Sequence, residues 1–106
     1  MNIRYYRTTR GDQPVEQYIL SLPARDQAAV EAVFGLLAEY GLGAPGVQSR
    51  HIQGKLWEIK IGGHRIFYVV IVGPEVVLLH AYRKQTTRAP VKEIELARRR
   101  MTEVLQ

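Results

Sequence analysis

A segment in the second half of the chain constrains the fold most, because its apolar residues follow the two-residue period of a β-strand. Residues 55–61 alternate in this way, residues 64–72 are apolar on both faces and predict a central strand, and residues 76–82 predict a third strand. They are separated by Gly62-Gly63 and Gly73-Pro74, which are typical of tight turns. The segment therefore predicts an antiparallel meander of three strands. Alternation in the first run places Trp57 in the core on one face and Glu58 and Lys60 on the other face.

The rest of the chain has the period of α-helices. Apolar residues from Val30 to Tyr40 recur at the spacing of one helical face, and Gly41 follows where a C-terminal cap is expected. A shorter helix is predicted to begin near Pro14, and a last helix after Pro90, because proline fits the first turn of a helix. A short strand over residues 2–7 opens the chain.

The predicted order of elements is β-α-α-β-β-β-α, which defines one α+β domain over residues 1–106. Residues 42–50 contain two glycines and a proline and are predicted to form a loop. Packing the helices on one face of a mostly antiparallel sheet, the first two as a helical hairpin, buries their apolar stripes. We then expect the opposite face of the sheet to be free to carry the function.

The chain has no cysteine, which excludes a disulfide framework, an iron–sulfur site, a cysteine zinc site and a cysteine nucleophile. Its three histidines, His51, His64 and His80, lack the spacing of a helical metal-binding pair, so neither a metal nor a cofactor is expected. His64 follows a turn and is expected to be exposed. His80 is predicted either to face the functional side or to be a half-buried imidazole with satisfied hydrogen bonds.

The formal net charge is +5, and it is distributed unevenly. Acidic and basic residues balance up to Gln53, so all the excess positive charge lies beyond that residue. This asymmetry indicates an anionic partner, most often a nucleic acid, or else a solvated basic face that only confers solubility. The chain shows no signal peptide and no apolar run near the 20 residues of a membrane span, so we expect a cytoplasmic protein without a membrane partner.

The turn between the first two predicted meander strands brings basic residues together. Lys60 precedes it and Arg65 follows it, while Arg83 and Lys84 close the third strand at either the same end of the sheet or the opposite edge. If the four converge, they form a cationic pocket suited to a phosphodiester. A lysine crowded by cations more readily loses its proton and is then able to deprotonate a ribose 2′-hydroxyl. Solvated residues at strand ends are the alternative.

These residues carry a resemblance to a known family. The segments that match it, in order and at suitable spacing, are 55–60 (KLWEIK), 63–68 (GHRIFY), 77–86 (VLLHAYRKQT), 89–90 (AP) and 93–97 (EIELA). In this pattern the chain resembles the RelE/ParE toxin superfamily, and within it the HigB-like toxins related to phage-derived proteins. The resemblance covers nearly the whole chain and implies the RelE-like fold. It also implies the toxin of a type II toxin–antitoxin system.

The resemblance further implies which residues act on RNA. Family members of the RelE and HigB types cleave mRNA without a metal, by attack of a 2′-hydroxyl on the adjacent phosphate. By position, the catalytic residues are Lys60 as the base, Arg65 as the group that stabilises the phosphate, and Lys84 as acid or phosphate clamp. RNA or phosphate contacts are assigned to Arg83, Tyr82, Glu58 and Arg88.

Two departures from RelE affect these roles. Glu58 stands where RelE has a second lysine, and it is expected either to act as a base or to pair with Lys60. Ala89-Pro90 stand near the position of a functional tyrosine in RelE, and Tyr82 is the nearest aromatic residue in this chain.

The expected partners are a cognate antitoxin, of the helix-turn-helix HigA-like type, together with mRNA and the ribosome. The fold leaves two other functions open. One is a ParE-like inhibitor that binds DNA gyrase and cleaves nothing, and the other is a module that binds RNA without cleaving it. Retention of Lys60, Arg65 and Lys84 favours the nuclease, because a gyrase inhibitor has no need of a phosphate-binding group of residues.

Overall fold

Five strands form a single sheet, and three helices cover parts of its two faces. The structure is a computed structural model that describes residues 1–106. The elements in chain order are β1 (Asn2–Tyr5), α1 (Pro14–Leu20), α2 (Ala24–Tyr40), β2 (Gln48–Gln53), β3 (Leu56–Ile61), β4 (His64–Ile71), β5 (Glu75–Arg83) and α3 (Val91–Leu105). The predicted α+β class is confirmed. None of the helices is long and apolar enough to cross a membrane.

The strands lie in the spatial order β1-β5-β4-β3-β2. The central meander of β3, β4 and β5 is antiparallel, as predicted, and β1 runs parallel to β5 at one edge. The predicted loop over residues 42–50 is wrong in part, because β2 begins at Gln48 and pairs antiparallel with β3 at the other edge. Its sequence, QSRHIQ, contains a single aliphatic residue and has no strand-like alternation, since an edge strand is largely solvated.

The helices divide between the two faces of the sheet. The hairpin of α1 and α2 covers one face, which we call the hairpin face, with core residues that include Val15, Leu37 and Ile59. Helix α3 covers part of the other face, the α3 face, where Ala97 packs with Phe67 and other apolar residues. The expectation that all helices pack on one side is therefore wrong. The polar end of the α3 face lies beyond the reach of the helix and remains open.

Trp57 is not a core residue, contrary to the prediction. It lies on the hairpin face with Ile59 as the alternation requires, but the helices do not extend over it. The side chain is 38% exposed and stacks against His51 of β2 at a centroid distance of 5.0 Å. The alternation of β3 therefore predicts the correct face for Trp57. Whether the side chain is buried depends on how far the helical hairpin extends over that face.

A β-bulge in β5 changes which side chains reach the α3 face. Phe67 pairs with His80 and Tyr68 pairs with Leu78, so Leu79 is an extra residue without a partner in β4. Bulges of this kind re-aim the side chains that follow them. Simple alternation from Leu78 places His80 on the hairpin face, but the bulge returns it to the α3 face. It also places Tyr82 there, where that residue joins the apolar cluster under α3.

Candidate functional site

A cleft of about 260 Å³ opens on the α3 face, at the end of the sheet that the helix leaves uncovered. Strands β2, β3, β4 and β5 contribute to it together with the segment that leads into α3. Its lining residues are Gln48, Ser49, Arg50, Glu58, Lys60, Arg65, Tyr82, Lys84, Thr87 and Ala89. Five of the seven predicted site residues are among them, and Lys60, Arg65 and Lys84 meet at the same end of the sheet, which is one of the two placements that the sequence left open.

The turn between β3 and β4 creates this convergence. Gly62 adopts a φ of +57°, a conformation that side-chain-bearing residues rarely take, and it reverses the chain within two residues. Lys60 and Arg65 thereby become direct cross-strand neighbours. The backbone N–H of Lys84 donates to the carbonyl of Gly63 at 2.8 Å, so the end of β5 is fixed to the same turn.

Glu58 is the centre of the hydrogen-bond network in the cleft. Its side chain is only 3% exposed. Its Oε1 accepts a hydrogen bond from Nη2 of Arg50 at 3.0 Å, and its Oε2 accepts one from the hydroxyl of Tyr82 at 3.3 Å. Nε of Arg65 lies 4.0 Å from Oε1. The expected alternative that Glu58 pairs with Lys60 is therefore wrong, because Arg50 occupies that carboxylate.

Arg65 is held rigidly within the wall of the cleft. Its Nη1 donates to the carbonyl oxygens of Gly62 at 2.8 Å and His64 at 2.9 Å. The side chain is almost fully buried, and the carboxylate of Glu58 faces it on one side. A buried guanidinium fixed by several partners presents its remaining N–H groups in a constant direction, which suits recognition of a phosphate.

Tyr82 enters the cleft as a protonated phenol. Burial raises its pKa most, and the carboxylate of Glu58 raises it further, to about 12. Its ring stacks with that of Phe67 at a centroid distance of 5.6 Å, which holds the hydroxyl against Glu58. At neutral pH this residue is thus a hydrogen-bond donor and not a base.

The cleft is strongly cationic. Arg50, Lys60, Arg65 and Lys84 face one carboxylate, Glu58, for a formal net charge of +3. Lys60 and Lys84 are exposed and form no ion pair, so their ammonium groups are free for a ligand. A concave site with one buried arginine and two free lysines concentrates positive charge and is chemically suited to an anion such as a phosphodiester.

Two of the predicted residues lie outside the cleft. Arg83 pairs in register with His64 on the hairpin face and lies over Gly63, so it points away from Lys60 and Lys84. Arg88 lines a second depression beside the cleft, and the two depressions share Arg50, Thr87 and Ala89. The proposed four-residue pocket therefore contains Arg50 in place of Arg83.

Each of the three histidines contacts neighbouring residues outside the cleft. His64 is buried, contrary to expectation, with its imidazole between Tyr18 and Asp26. His80 is half-buried under α3 and contacts Glu93 at 2.9 Å, and burial lowers its pKa below the usual value despite this carboxylate. His51 is exposed and contacts the carbonyl of Gly54. None of them lines the cleft.

Arg50 is the charged residue of the cleft that sequence reasoning missed. It was assigned to a loop because β2 has no apolar alternation. A signal for it exists only in the pairing of strands, since Arg50 lies directly opposite Glu58 in the β2–β3 register. Once the turn at Gly54 is known, it predicts that Glu58 and the arginine eight residues before it face each other across the hairpin.

Comparison with known proteins identifies the family of the chain. The sequence model of the family described as "Phage derived protein Gp49-like (DUF891)" matches residues 17–102, which is most of the chain. The chain belongs to this family. Gp49-like proteins are known as a type II toxin family of the RelE/HigB-like kind, so the general expectation of a toxin with an antitoxin partner is supported. No curated protein matches the chain.

Proposed function

We propose that this Gp49-like protein is an endoribonuclease that cleaves mRNA by attack of a ribose 2′-hydroxyl on the neighbouring phosphate. The observation that carries the proposal is the meeting of Lys60, Arg65 and Lys84 in one cleft of net charge +3. These are the residues to which the family resemblance assigns catalysis. The β3–β4 turn makes Lys60 and Arg65 cross-strand neighbours, and the backbone hydrogen bond from Lys84 to Gly63 adds the third residue from a segment distant in sequence.

The proposed reaction exchanges one phosphoester bond for another. The 2′-oxygen bonds to phosphorus while the bond from phosphorus to the 5′-oxygen breaks. Lys60 releases its proton to solvent before the attack and, as the amine, then takes the proton from the 2′-hydroxyl, while the ammonium of Lys84 donates a proton to the departing 5′-oxygen. The products are a 2′,3′-cyclic phosphate and a 5′-hydroxyl end, so atoms and charge balance without a cofactor.

The remaining cleft residues support the negative charge that grows on the phosphate oxygens. Arg65 is fixed before the substrate arrives, so it loses little freedom when that charge develops. The carboxylate of Glu58 accepts hydrogen bonds from Arg50 and Tyr82. In this scheme Glu58 orients those two side chains and does not act as the base. Arg50 and Tyr82 complete the wall against which the RNA backbone lies.

Cleavage of RNA by purified variants tests the proposal. We expect Lys60→Ala and Lys84→Ala each to reduce the rate of cleavage by about 100-fold or more, since each removes a proton-transfer group. Lys55→Ala is the matched control, because Lys55 is an exposed lysine in the β2–β3 turn outside the cleft, and it retains full activity. Both cleft lysines are exposed, so their removal leaves the fold intact.

The assay is run with free RNA and with mRNA bound on ribosomes, since the proposed substrate is an mRNA in the act of translation. New 5′ ends that depend on Lys60 and Lys84 support the nuclease. If no RNA ends form in either setting and gyrase supercoiling fails, the protein is a gyrase inhibitor and the proposal is wrong. RNA binding that resists both substitutions and never leads to cleavage contradicts it equally.

A further inference from the structure

Three side chains from three different elements form a hydrogen-bonded chain on the hairpin face. The hydroxyl of Tyr18 in α1 lies 2.7 Å from Nδ1 of His64, at the start of β4. Nε2 of His64 lies 3.0 Å from Oδ2 of Asp26 in α2. The imidazole is buried, and both of its nitrogens are occupied. We call this set the His64 clamp.

One tautomer of the His64 imidazole satisfies both hydrogen bonds of the clamp. In the tautomer protonated at Nε2, His64 donates to the carboxylate of Asp26 and accepts from the hydroxyl of Tyr18 at Nδ1. The rings of Tyr18 and His64 also meet edge to face, with centroids 5.6 Å apart. The imidazole is therefore fixed from two sides by directional contacts, which specify its orientation more narrowly than apolar packing does.

The backbone of His64 connects the clamp to the cleft on the other side of the sheet. Nη1 of Arg65 donates to the carbonyl of His64 at 2.9 Å and to the carbonyl of Gly62 at 2.8 Å. The carbonyl of Gly63, between them, accepts from the N–H of Lys84. The turn that the clamp anchors is thus the structure that holds both Arg65 and Lys84.

The clamp does not touch the cleft itself. Tyr18, Asp26 and His64 are absent from its lining, and their side chains lie on the opposite face of the sheet. A direct role of His64 in proton transfer to a substrate in the cleft is excluded by this separation. Any effect of the clamp on the reaction therefore passes through the turn and Arg65.

We infer that Tyr18, His64 and Asp26 are positioning residues that set the orientation of the Arg65 guanidinium for the developing charge of the phosphate. This inference rests on the proposed function, because it takes Arg65 as the group that stabilises that charge. The helical hairpin thereby contributes to the reaction through its contact with the first residue of β4, in addition to covering the core.

Tyr18→Phe tests the inference, because it removes one hydroxyl from the clamp and no apolar volume. We expect kcat for RNA cleavage to fall by about 10- to 100-fold, as for a small displacement of a catalytic group, while KM changes by less than about twofold. Tyr6→Phe is the matched control. It removes a hydroxyl that donates to Glu103 at 2.9 Å, and neither residue lines the cleft, so kcat stays at the wild-type level.

A double variant separates positioning from loss of stability. If the clamp acts through Arg65, Tyr18→Phe causes no further loss of kcat in the Arg65→Gln background. If the hydroxyl matters only for folding, the second loss adds to the first, and the inference is overturned.

A measurement independent of activity keeps the inference testable even if the protein cleaves no RNA. The guanidinium protons of Arg65 are assigned in NMR spectra by their disappearance in Arg65→Gln. We expect them to be protected from exchange in the wild type and in Tyr6→Phe, and to lose that protection in Tyr18→Phe. Unchanged protection in Tyr18→Phe overturns the inference whatever the activity. Loss of protection in a protein that cleaves nothing supports the clamp and refutes the proposed function.

Discussion

Replacement of the buried carboxylate at the centre of the cleft, Glu58→Gln, is the perturbation whose size follows most directly from the structure. The side chain is 3% exposed and accepts hydrogen bonds from Arg50 and Tyr82. It is also the carboxylate closest to the buried guanidinium of Arg65, at 4.0 Å. Glutamine keeps the shape and one acceptor oxygen but removes the charge.

The expected loss combines three contacts of different value. A hydrogen bond to a charged group contributes about 1.5–3 kcal/mol and a neutral one about 0.5–1.5 kcal/mol, so the Tyr82 contact weakens by about 1 kcal/mol. Arg50 is 60% exposed, which limits its pair with Glu58 to less than about 1 kcal/mol. Arg65 loses its nearest counter-charge while remaining buried. We expect the free energy of unfolding to fall by about 2 kcal/mol in total.

Urea denaturation, followed by the fluorescence of the single tryptophan Trp57, measures this loss. With an m value of about 1 to 2 kcal/mol/M, the midpoint falls by about 1 to 2 M. Glu75→Gln is the matched control, because Glu75 pairs with Arg4 at 3.0 Å, the same distance as the Glu58–Arg50 pair, but both partners are solvent-accessible. Its effect stays below about 0.5 kcal/mol. Equal effects of the two substitutions refute the view that Glu58 organises the cleft.

Two further predictions concern charge. The pKa of Tyr82 is about 12 in the folded protein and about 10 in the unfolded chain, so its contribution to stability is complete below pH 10 and is lost as the pH rises towards 12. Between pH 9 and pH 11 we therefore expect the free energy of unfolding to fall less steeply with pH in Tyr82→Phe than in the wild type. An unchanged slope contradicts this. The logarithm of the RNA-binding constant falls with the logarithm of the salt concentration with a slope of about −3, as four neutralised phosphates predict for a single strand. Lys60→Ala and Lys84→Ala each make this slope less negative by about 0.7. Lys92→Ala, outside the cleft, leaves the slope unchanged.

The sequence predicts the meander and the helical hairpin well, because both have a local signal. The alternation of β3, the turn at Gly62-Gly63 and the helical repeat ending at Gly41 each encode an element within a few residues. The convergence of Lys60 and Arg65 follows from that turn alone, so it was predictable. The strand β2 was not, since a solvated edge strand has no period to detect.

The errors in the site arise from contacts between residues distant in sequence. The bulge at Leu79 shifts the alternation of β5, which no single-strand pattern reveals, and it is the reason that Tyr82 reaches Glu58. His64 looks exposed beside its turn, and it is buried only because Tyr18 and Asp26 arrive from the hairpin. Arg83 is separated from Lys84 by one residue step, and that step places the two on opposite faces of the sheet.

The most direct test of the central claim is cleavage of an RNA in which the nucleotide before the cut site carries a 2′-deoxyribose, presented both free and on ribosomes. Attack by the 2′-hydroxyl requires that oxygen, so we expect the all-ribose RNA to yield a 2′,3′-cyclic phosphate and the substituted RNA to remain intact at that site. Cleavage of both RNAs at equal rates, or of neither, contradicts the account.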